Sequence, residues 1–167
     1  MTGLPEGARA VVLTASNRAA AGVYEDTSGR LLADGLAALG FAVEGPHVHP
    51  DDVAELERAL RAAVAGGADV VVTTGGTGLS PTDVTPEATR AVVEREAPGL
   101  AEALRRYGAE KVPTAVLSRG LAGTAGRTLI VNLPGSSGGV RDGLAVLGPL
   151  LPHVVSQLRG GDHPRPS

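Results

Sequence analysis

A single aspartate set between a glycine turn and a helix start is where this sequence can do chemistry. Within Asp69–Arg90 a β-branched run, Val70–Thr74, empties into Gly75-Gly76-Thr77-Gly78, and Asp83 stands just ahead of Thr85-Pro86-Glu87, which reads as a helix start. Strand, glycine loop and helix N-terminus in that order make an anion site: bare N–H groups approach a phosphate closely, and the helix dipole favours negative charge. Asp83 adds an oxygen ligand for Mg²⁺ or a local negative charge. This is not the loop of P-loop NTPases, since Leu79-Ser80 stands where Gly-Lys-Ser/Thr would be needed. A second turn, Asn132-Leu133-Pro134-Gly135-Ser136-Ser137-Gly138-Gly139, follows the strand-like run Arg127–Val131 and precedes a helical pattern. Two phosphate-friendly turns at two strand ends suggest a ligand with two ends. On the residues alone, Asp83 stays open between metal ligand and turn or cap residue, and the glycines between phosphate cradle and tight βα connection.

The elements that must hold these turns alternate. Ala10–Ala15 reads as a buried strand leading to Ser16-Asn17-Arg18. From about Thr27 to Leu39 a helix places Leu31, Leu32, Gly35, Leu36 and Leu39 on one face, with Asp26 or Thr27 as cap. Phe41–Val48 reads as a strand that Pro46 consigns to a sheet edge. Asp51–Ala65 reads as a helix capped by Asp51 or Asp52, with Val53, Leu56, Leu60 and Val64 inward. Val70–Thr74 is the third strand. Helices are expected over Pro86–Glu96 and Leu100–Tyr107, broken by Pro98-Gly99, then an irregular stretch over Lys111–Ala125, the Arg127–Val131 strand, and a helical region from Gly139 to Gln157 broken near Gly148-Pro149. Buried strands alternating with helices imply an α/β fold, a mostly parallel sheet covered on both faces. Ligands on such sheets sit beyond the carboxyl ends of the strands, where Ser16–Arg18, Gly75–Asp83 and Asn132–Gly139 all fall.

Composition narrows the function classes. A chain of 167 residues is most simply one domain with a real core. With no Cys there are no disulfides, no thiol catalysis and no Cys-ligated metal, which suits a cytoplasmic protein. A formal net charge of −3 offers no basic field for a nucleic-acid backbone, and aromatics at 2% leave almost nothing for bases to stack on. Neither a leader-like apolar segment at the N-terminus nor a run of the ~20 apolar residues a membrane span requires is visible. Nucleic-acid and membrane functions are not expected. His47 and His49 alternate on a strand but lack a third ligand in view, so they read as exposed strand-end residues. Glu94, Arg95, Glu96, Arg105 and Arg106 read as solvated helix faces.

Several segments together carry a resemblance. TASNR at the first strand exit, DTSG at Asp26–Gly29, TTGGTG and DVTPEAT around Asp83, SRG at Ser118–Gly120 and NLPGSS at Asn132–Ser137 occur in one order. In this the chain resembles the MogA/MoaB family of molybdenum cofactor biosynthesis, with its gephyrin G-domain relatives. The resemblance spans residues 9–158, leaving residues 1–8 as an N-terminal extension and 159–167 as a tail expected to be disordered. It implies a three-layer α/β/α sandwich, a homotrimer, and adenylylation of molybdopterin with ATP as substrate and Mg²⁺ as cofactor. Position by position it assigns Gly75, Gly76, Thr77 and Gly78, with Ser16 and Arg18, to the nucleotide. It assigns Asp83 and Asp51 to catalysis and the metal, and Ser118, Arg119, Pro134, Gly135 and Ser136 to molybdopterin. A molybdate-insertion protein is the implied partner. The chain departs from the family pattern at Thr82, where many members have Arg, at Asn17, where many have Asp, and after the LPG turn, where Ser136-Ser137-Gly138 replaces a lysine-bearing sequence. Positive charge at that turn would then come from Arg119, Arg18 or Arg141.

The implied chemistry suits the residues. Joining two phosphates brings anions together, so positioning and charge neutralisation do most of the work. Mg²⁺ takes one or two carboxylates plus phosphate oxygens and waters. Two other classes stay open: a non-catalytic pterin- or nucleotide-binding module of MoaB type, and a building block of a larger enzyme. Retention of both acids favours an enzyme over a pure binder. A chain that begins and ends with this one domain is read as standing apart from the larger enzymes. An NAD-dependent enzyme is not expected, since no G-x-G-x-x-G follows the first strand.

Overall fold

A computed structural model of the chain describes residues 3–161. Six strands form one sheet in the order β2-β1-β3-β6-β5-β4. Strands β1 (Arg9–Ala15), β2 (Ala42–His49), β3 (Val70–Thr74) and β6 (Thr128–Leu133) run parallel; β5 (Ala122–Ala125) and β4 (Arg95–Glu96) add an antiparallel edge. The three-layer α/β/α architecture with a mostly parallel sheet is the one expected. Because alternate strand residues face opposite sides, Ala10, Val12, Val70, Val72, Leu129 and Val131 enter one core, with Leu32 and Leu36 of helix α2 (Thr27–Ala38), Val140 and Leu147 of α6 (Ser137–Leu147), and Leu151 and Val155 of α7 (Leu151–Leu158). Val11, Leu13, Val71 and Ile130 face the other way, onto Leu56 and Leu60 of α3 (Val53–Ala65) and Ala88 and Val92 of α4 (Thr85–Val92). A short α1 (Asn17–Ala20) follows β1, and α5 (Pro98–Ala109) leads through a 3₁₀ turn at Pro113–Leu117 to β5.

Several expected elements are corrected. The Pro86–Glu96 helix stops at Val92, because Val93 turns extended and Glu94 N–H bonds Thr124 O; Arg95 and Glu96 are edge-strand residues rather than a helix face. The region Lys111–Ala125 is not irregular throughout: Ala122–Ala125 is a strand whose small residues give no hydrophobic alternation to read. Val53 is 41% exposed instead of inward, since it occupies the first turn of α3, beyond the sheet, and Leu39 is likewise exposed as the cap residue after α2. Pro46 does sit on an edge strand, at a register shift between β1 and β2. The disordered tail expected from residue 159 does not hold at its start: Arg159 is fixed, and residues 162–167 lie outside the described residues.

At the amino end of the sheet, Asp69 is only 8% exposed and accepts from Arg159 Nε and Nη2, both at 2.9 Å, and from Arg9 N–H at 2.8 Å. Burial alone would raise the Asp69 carboxyl; the hydrogen bonds and charges of Arg159 and Arg9 outweigh it and hold the group below its ordinary value. A carboxyl depressed in the folded state contributes stability above its unfolded value, and that contribution disappears as pH falls through the folded one. The wild type is therefore expected to melt higher than Asp69→Asn at neutral pH, with the gap closing as pH falls below about 4. A gap that is unchanged down to strongly acid pH in parallel thermal melts would rule this out.

Candidate active site

The sheet order reverses between β1 and β3: after β1 the chain moves outward to β2, and β3 returns to β1's other side. Loops leaving the carboxyl ends of these neighbours diverge, which opens a crevice. A cleft of about 430 Å³ lies there, lined by Ser16, Asn17, Arg18, Tyr24–Ser28, Asp51, Thr74–Gly76, Thr82, Asp83, Gly135 and Ser137, among others. A second, largely apolar cavity of about 480 Å³ lies beyond the glycine turn, walled by Leu104, Ala115, Leu117, Ser118, Pro134, Ser136 and Arg141. The expected nucleotide turn divides between them. Gly75 and Gly76 face the first cleft; Thr77 and Gly78 face the second cavity. Of the Pro134-Gly135-Ser136 turn, Gly135 faces the first cleft and its neighbours the second.

Three loops lock together at this point. Gly75 N–H donates to Leu133 O at 3.0 Å, and Thr74 Oγ1 donates to Pro134 O at 2.7 Å. Gly75 has φ +96°, and a Cβ there would overlap the Ala15 carbonyl oxygen. A Cβ on Gly135 would stand 3.2 Å from Gly75 Cα, so the two turns cross backbone to backbone. Thr85, at the start of α4, closes the assembly: its Oγ1 donates to Gly75 O at 3.0 Å and its N–H to Gly76 O at 3.1 Å.

Both aspartates lie against this turn. Asp51 Oδ1 lies 3.0 Å from where a Gly76 Cβ would be, and Asp83 Oδ2 lies 2.8 Å from the corresponding point on Gly78. The cap reading of Asp51 is settled: Asp52 caps α3 by accepting from Glu55 N–H at 2.9 Å, whereas Asp51 turns to the first loop. There Asn17 Oδ1 accepts from Asp51 N–H at 2.8 Å and Asn17 N–H donates to Asp51 Oδ2 at 3.3 Å. Asp51 Oδ1 is buried with no hydrogen-bond partner among the described residues. Asp83 does not cap α4 either; its Oδ2 accepts from Ser80 N–H at 3.2 Å, so it is a turn residue whose carboxylate still faces the cleft.

The electrostatics ask for a cation. Burial raises the Asp51 carboxyl above its ordinary value, the Asn17 N–H opposes this, and the charge of Asp83 adds to the rise. Glu25, Asp26, Asp51 and Asp83 line the cleft against Arg18 as its one guanidinium. An anion entering alone would meet repulsion. The orphaned Asp51 oxygen and the all-oxygen donor set fit Mg²⁺, which completes its shell with phosphate oxygens and water. Among the described residues no group of three His, Cys, Asp or Glu forms a metal cage. His47 and His49 pair with different partners, Glu44 at 2.9 Å and Glu55 at 3.8 Å, and do not converge.

Arg119, expected at the pterin, is engaged with the glycine loop. It lines neither cavity. Its Nε donates to Gly78 O at 2.8 Å, its Nη2 to Asp83 O at 2.8 Å, and its Nη1 to Glu87 Oε2 at 2.7 Å, while its N–H donates to Thr77 O at 2.8 Å. Arg119 is thus a brace for the loop that carries Asp83. The bond from Arg119 in turn holds the Glu87 carboxyl below its usual range. Ser118 remains on the second cavity, its Oγ accepting from Gly120 N–H at 3.2 Å. Ser16 caps α1 by accepting from Ala19 N–H at 3.2 Å, so its hydroxyl already has a structural partner at the cleft wall.

Sequence reasoning missed the supports behind these residues. Asn132 is buried; its Nδ2 donates to Thr73 Oγ1 at 3.0 Å and Thr89 Oγ1 at 2.9 Å, and its Oδ1 accepts from Leu121 N–H at 3.0 Å. Thr14 Oγ1 donates to Asp26 Oδ2 at 2.7 Å, a support not foreseen, whereas the Asp26 cap of α2, through Gly29 N–H at 3.0 Å, was one of the two expected. Polar residues at the ends of otherwise apolar strands were the available signal.

The profile of the family described as "Probable molybdopterin binding domain" matches residues 11–153. A molybdopterin adenylyltransferase of Helicobacter pylori (strain J99) is 39% identical over 89% of this chain and 86% of its own length. The chain belongs to the MogA/MoaB family of molybdenum cofactor biosynthesis. A solved structure titled as the anomalous substructure of MogA superposes with a TM-score of 0.87 at 54% identity, covering 90% of this chain and 99% of that one. A bifunctional molybdenum cofactor biosynthesis protein of Chlorobaculum tepidum is 39% identical over 93% of this chain. The chain spans about half of that relative's length, 50%. Among the described residues no helix is long and apolar enough to cross a membrane.

Proposed function

We propose that this chain is a molybdopterin adenylyltransferase of the cytoplasm, taking ATP in the first cleft and the pterin in the second cavity. The observation that carries the reading is the pair of carboxylates, Asp51 and Asp83, set on a glycine turn whose two sides open onto the two cavities. A relative named for this activity supports it. An oxygen of the terminal phosphate of molybdopterin attacks the α-phosphorus of ATP; a new P–O bond forms, and the bond to the β-phosphate breaks, pyrophosphate leaving with the electron pair. Mg²⁺ held by Asp51 and Asp83 would neutralise the phosphate charges that must meet. Gly75, Gly76 and Gly135 allow the phosphates to approach backbone, and Arg18 supplies the cleft's own positive charge. Ser118, Pro134 and Ser136 form the pterin side, with Arg141 in place of a lysine at that turn. Arg119 fixes the Asp83 loop and touches neither substrate.

Purified protein with molybdopterin, ATP and Mg²⁺ is expected to release pyrophosphate and form adenylylated pterin, and to do neither without Mg²⁺. Tight pterin binding with no pyrophosphate above a no-enzyme control would assign the chain to the non-catalytic, MoaB-like binders instead. The product would pass to a molybdate-insertion protein. We also propose a homotrimer, for which Val112, Val116 and Leu117 offer exposed apolar material beside the second cavity. Light scattering at micromolar concentration is expected to return three times the chain mass, and a monomer mass would exclude it.

A further inference from the structure

The chain has three aromatic side chains, and two are committed elsewhere. Phe41 is 4% exposed in the core, and the Tyr107 ring lies under the Lys111 ammonium, 5.2 Å from its centroid. Tyr24 is 54% exposed, and its ring has no hydrogen-bond or ring partner among the described residues. It lines the same cleft as Gly75, Gly76, Asp51 and Asp83.

The segment carrying this ring is held at both ends. On one side Val23 N–H donates to Arg18 O at 2.9 Å and Gly22 N–H to Ala19 O at 3.1 Å, with Gly22 at φ +74° making the turn. On the other, Asp26 is tied to Thr14 and to Gly29 N–H. A planar, amphipathic ring with few rotatable bonds is thereby presented at the mouth of an acidic, otherwise polar cleft. Stacking on a flat heterocycle is the interaction such a ring can offer, and it is insensitive to the hydrogen-bonding pattern of that heterocycle.

We propose that Tyr24 is the stacking platform for the purine ring of the nucleotide, making it an affinity-determining residue for this cleft. The inference rests on the reading that ATP occupies the first cleft. The phosphates lie at the glycine turn and the two carboxylates, and the ring, on the wall of the same cleft, meets the base. Because the phenol hydroxyl has no assigned partner, the contact is made by the ring face, so Phe replaces it and Ala does not.

The test uses Tyr24→Trp, which gives a chain otherwise devoid of Trp a single fluorophore. Titration with ATP and with AMP in the presence of Mg²⁺ is expected to quench its emission, whereas a free pterin leaves it unchanged. Calorimetry is expected to show ATP affinity retained in Tyr24→Phe and weakened about tenfold or more in Tyr24→Ala. ATP binding seen by calorimetry without quenching, or quenching by pterin and not by ATP, overturns the proposal. So does a spectrum that shifts with protein concentration in the absence of ligand, because a second copy would then cover the ring. Quenching by ATP in a protein that releases no pyrophosphate keeps Tyr24 in this role and defeats the adenylyltransferase reading alone.

Discussion

Asp83→Asn is expected to lower turnover by about two orders of magnitude or more, the scale of losing a key electrostatic stabiliser, with little change in melting temperature. The local fold does not need the charge: Asp83 Oδ2 accepts one bond, from Ser80 N–H at 3.2 Å, which an asparagine carbonyl can also accept. Neither is the residue the cap of α4. What is lost is one of the negative charges that line the cleft. Asp51→Asn is expected to behave alike, since Asp52 keeps the cap of α3 and Asn17 can still bond residue 51 through its backbone. Asp52→Asn is the control: asparagine caps nearly as well, and Asp52 does not line the cleft, so turnover is expected to stay near wild type. Affinity for the pterin is expected to survive in all three, because the second cavity is untouched. Near-normal rates for Asp83→Asn at saturating Mg²⁺ would remove the metal-ligand role.

Gly75→Ala is expected to do the most damage to the folded state. Its φ of +96° disfavours any side chain, and the added methyl would run into the carbonyl oxygen of Ala15 rather than into a side chain that could yield. Left-handed strain and overpacking of this kind each cost on the order of 1–3 kcal/mol, so a loss of about 3 kcal/mol or more is expected. The methyl also displaces the crossing of the two turns, so nucleotide binding is expected to fall with stability. Gly99→Ala supplies the comparison, since a Cβ there meets nothing within 4 Å. The measurement is the urea midpoint of each variant. Parallel midpoints for the two would mean that the loops do not interlock as described.

The legible parts of this fold were those where one physical signal dominated. Val70–Thr74 and Leu129–Val131 are continuous β-branched and aliphatic runs because both sheet faces are covered, and they appear as strands at the centre of the sheet. The antiparallel edge was illegible because it is built from Ala122-Gly123-Thr124-Ala125 and from a two-residue strand of charged side chains, which carry no alternation. At the site, the glycine turn was readable from spacing, with Asp83 visible beside it and its role left open by the residues alone. The choice between Asp51 and Asp52 was not, since adjacent acids ahead of a helix look alike until one is seen to bond Glu55 N–H. The bracing bonds of Arg119 were not readable for a related reason. A guanidinium near phosphate turns suggests an anion contact, and only the three-dimensional path of the loop reveals carbonyls at Gly78 and Asp83 within its reach.

The tie between Arg159 and Asp69 also fixes where Glu6 and Arg159 lie relative to the sheet. Arg159 Nη1 donates to Glu6 O at 2.9 Å, so the stretch before β1 and the stretch after α7 meet beneath the amino edges of the strands. Both cavities open at the other end of those strands. A label or surface linker attached beside Glu6 or Arg159 starts from the far side of the molecule from the cleft mouths. Attachment at these two described positions is thus compatible with free access to the clefts. Splicing a guest into the loops after β1, β3 or β6 is not.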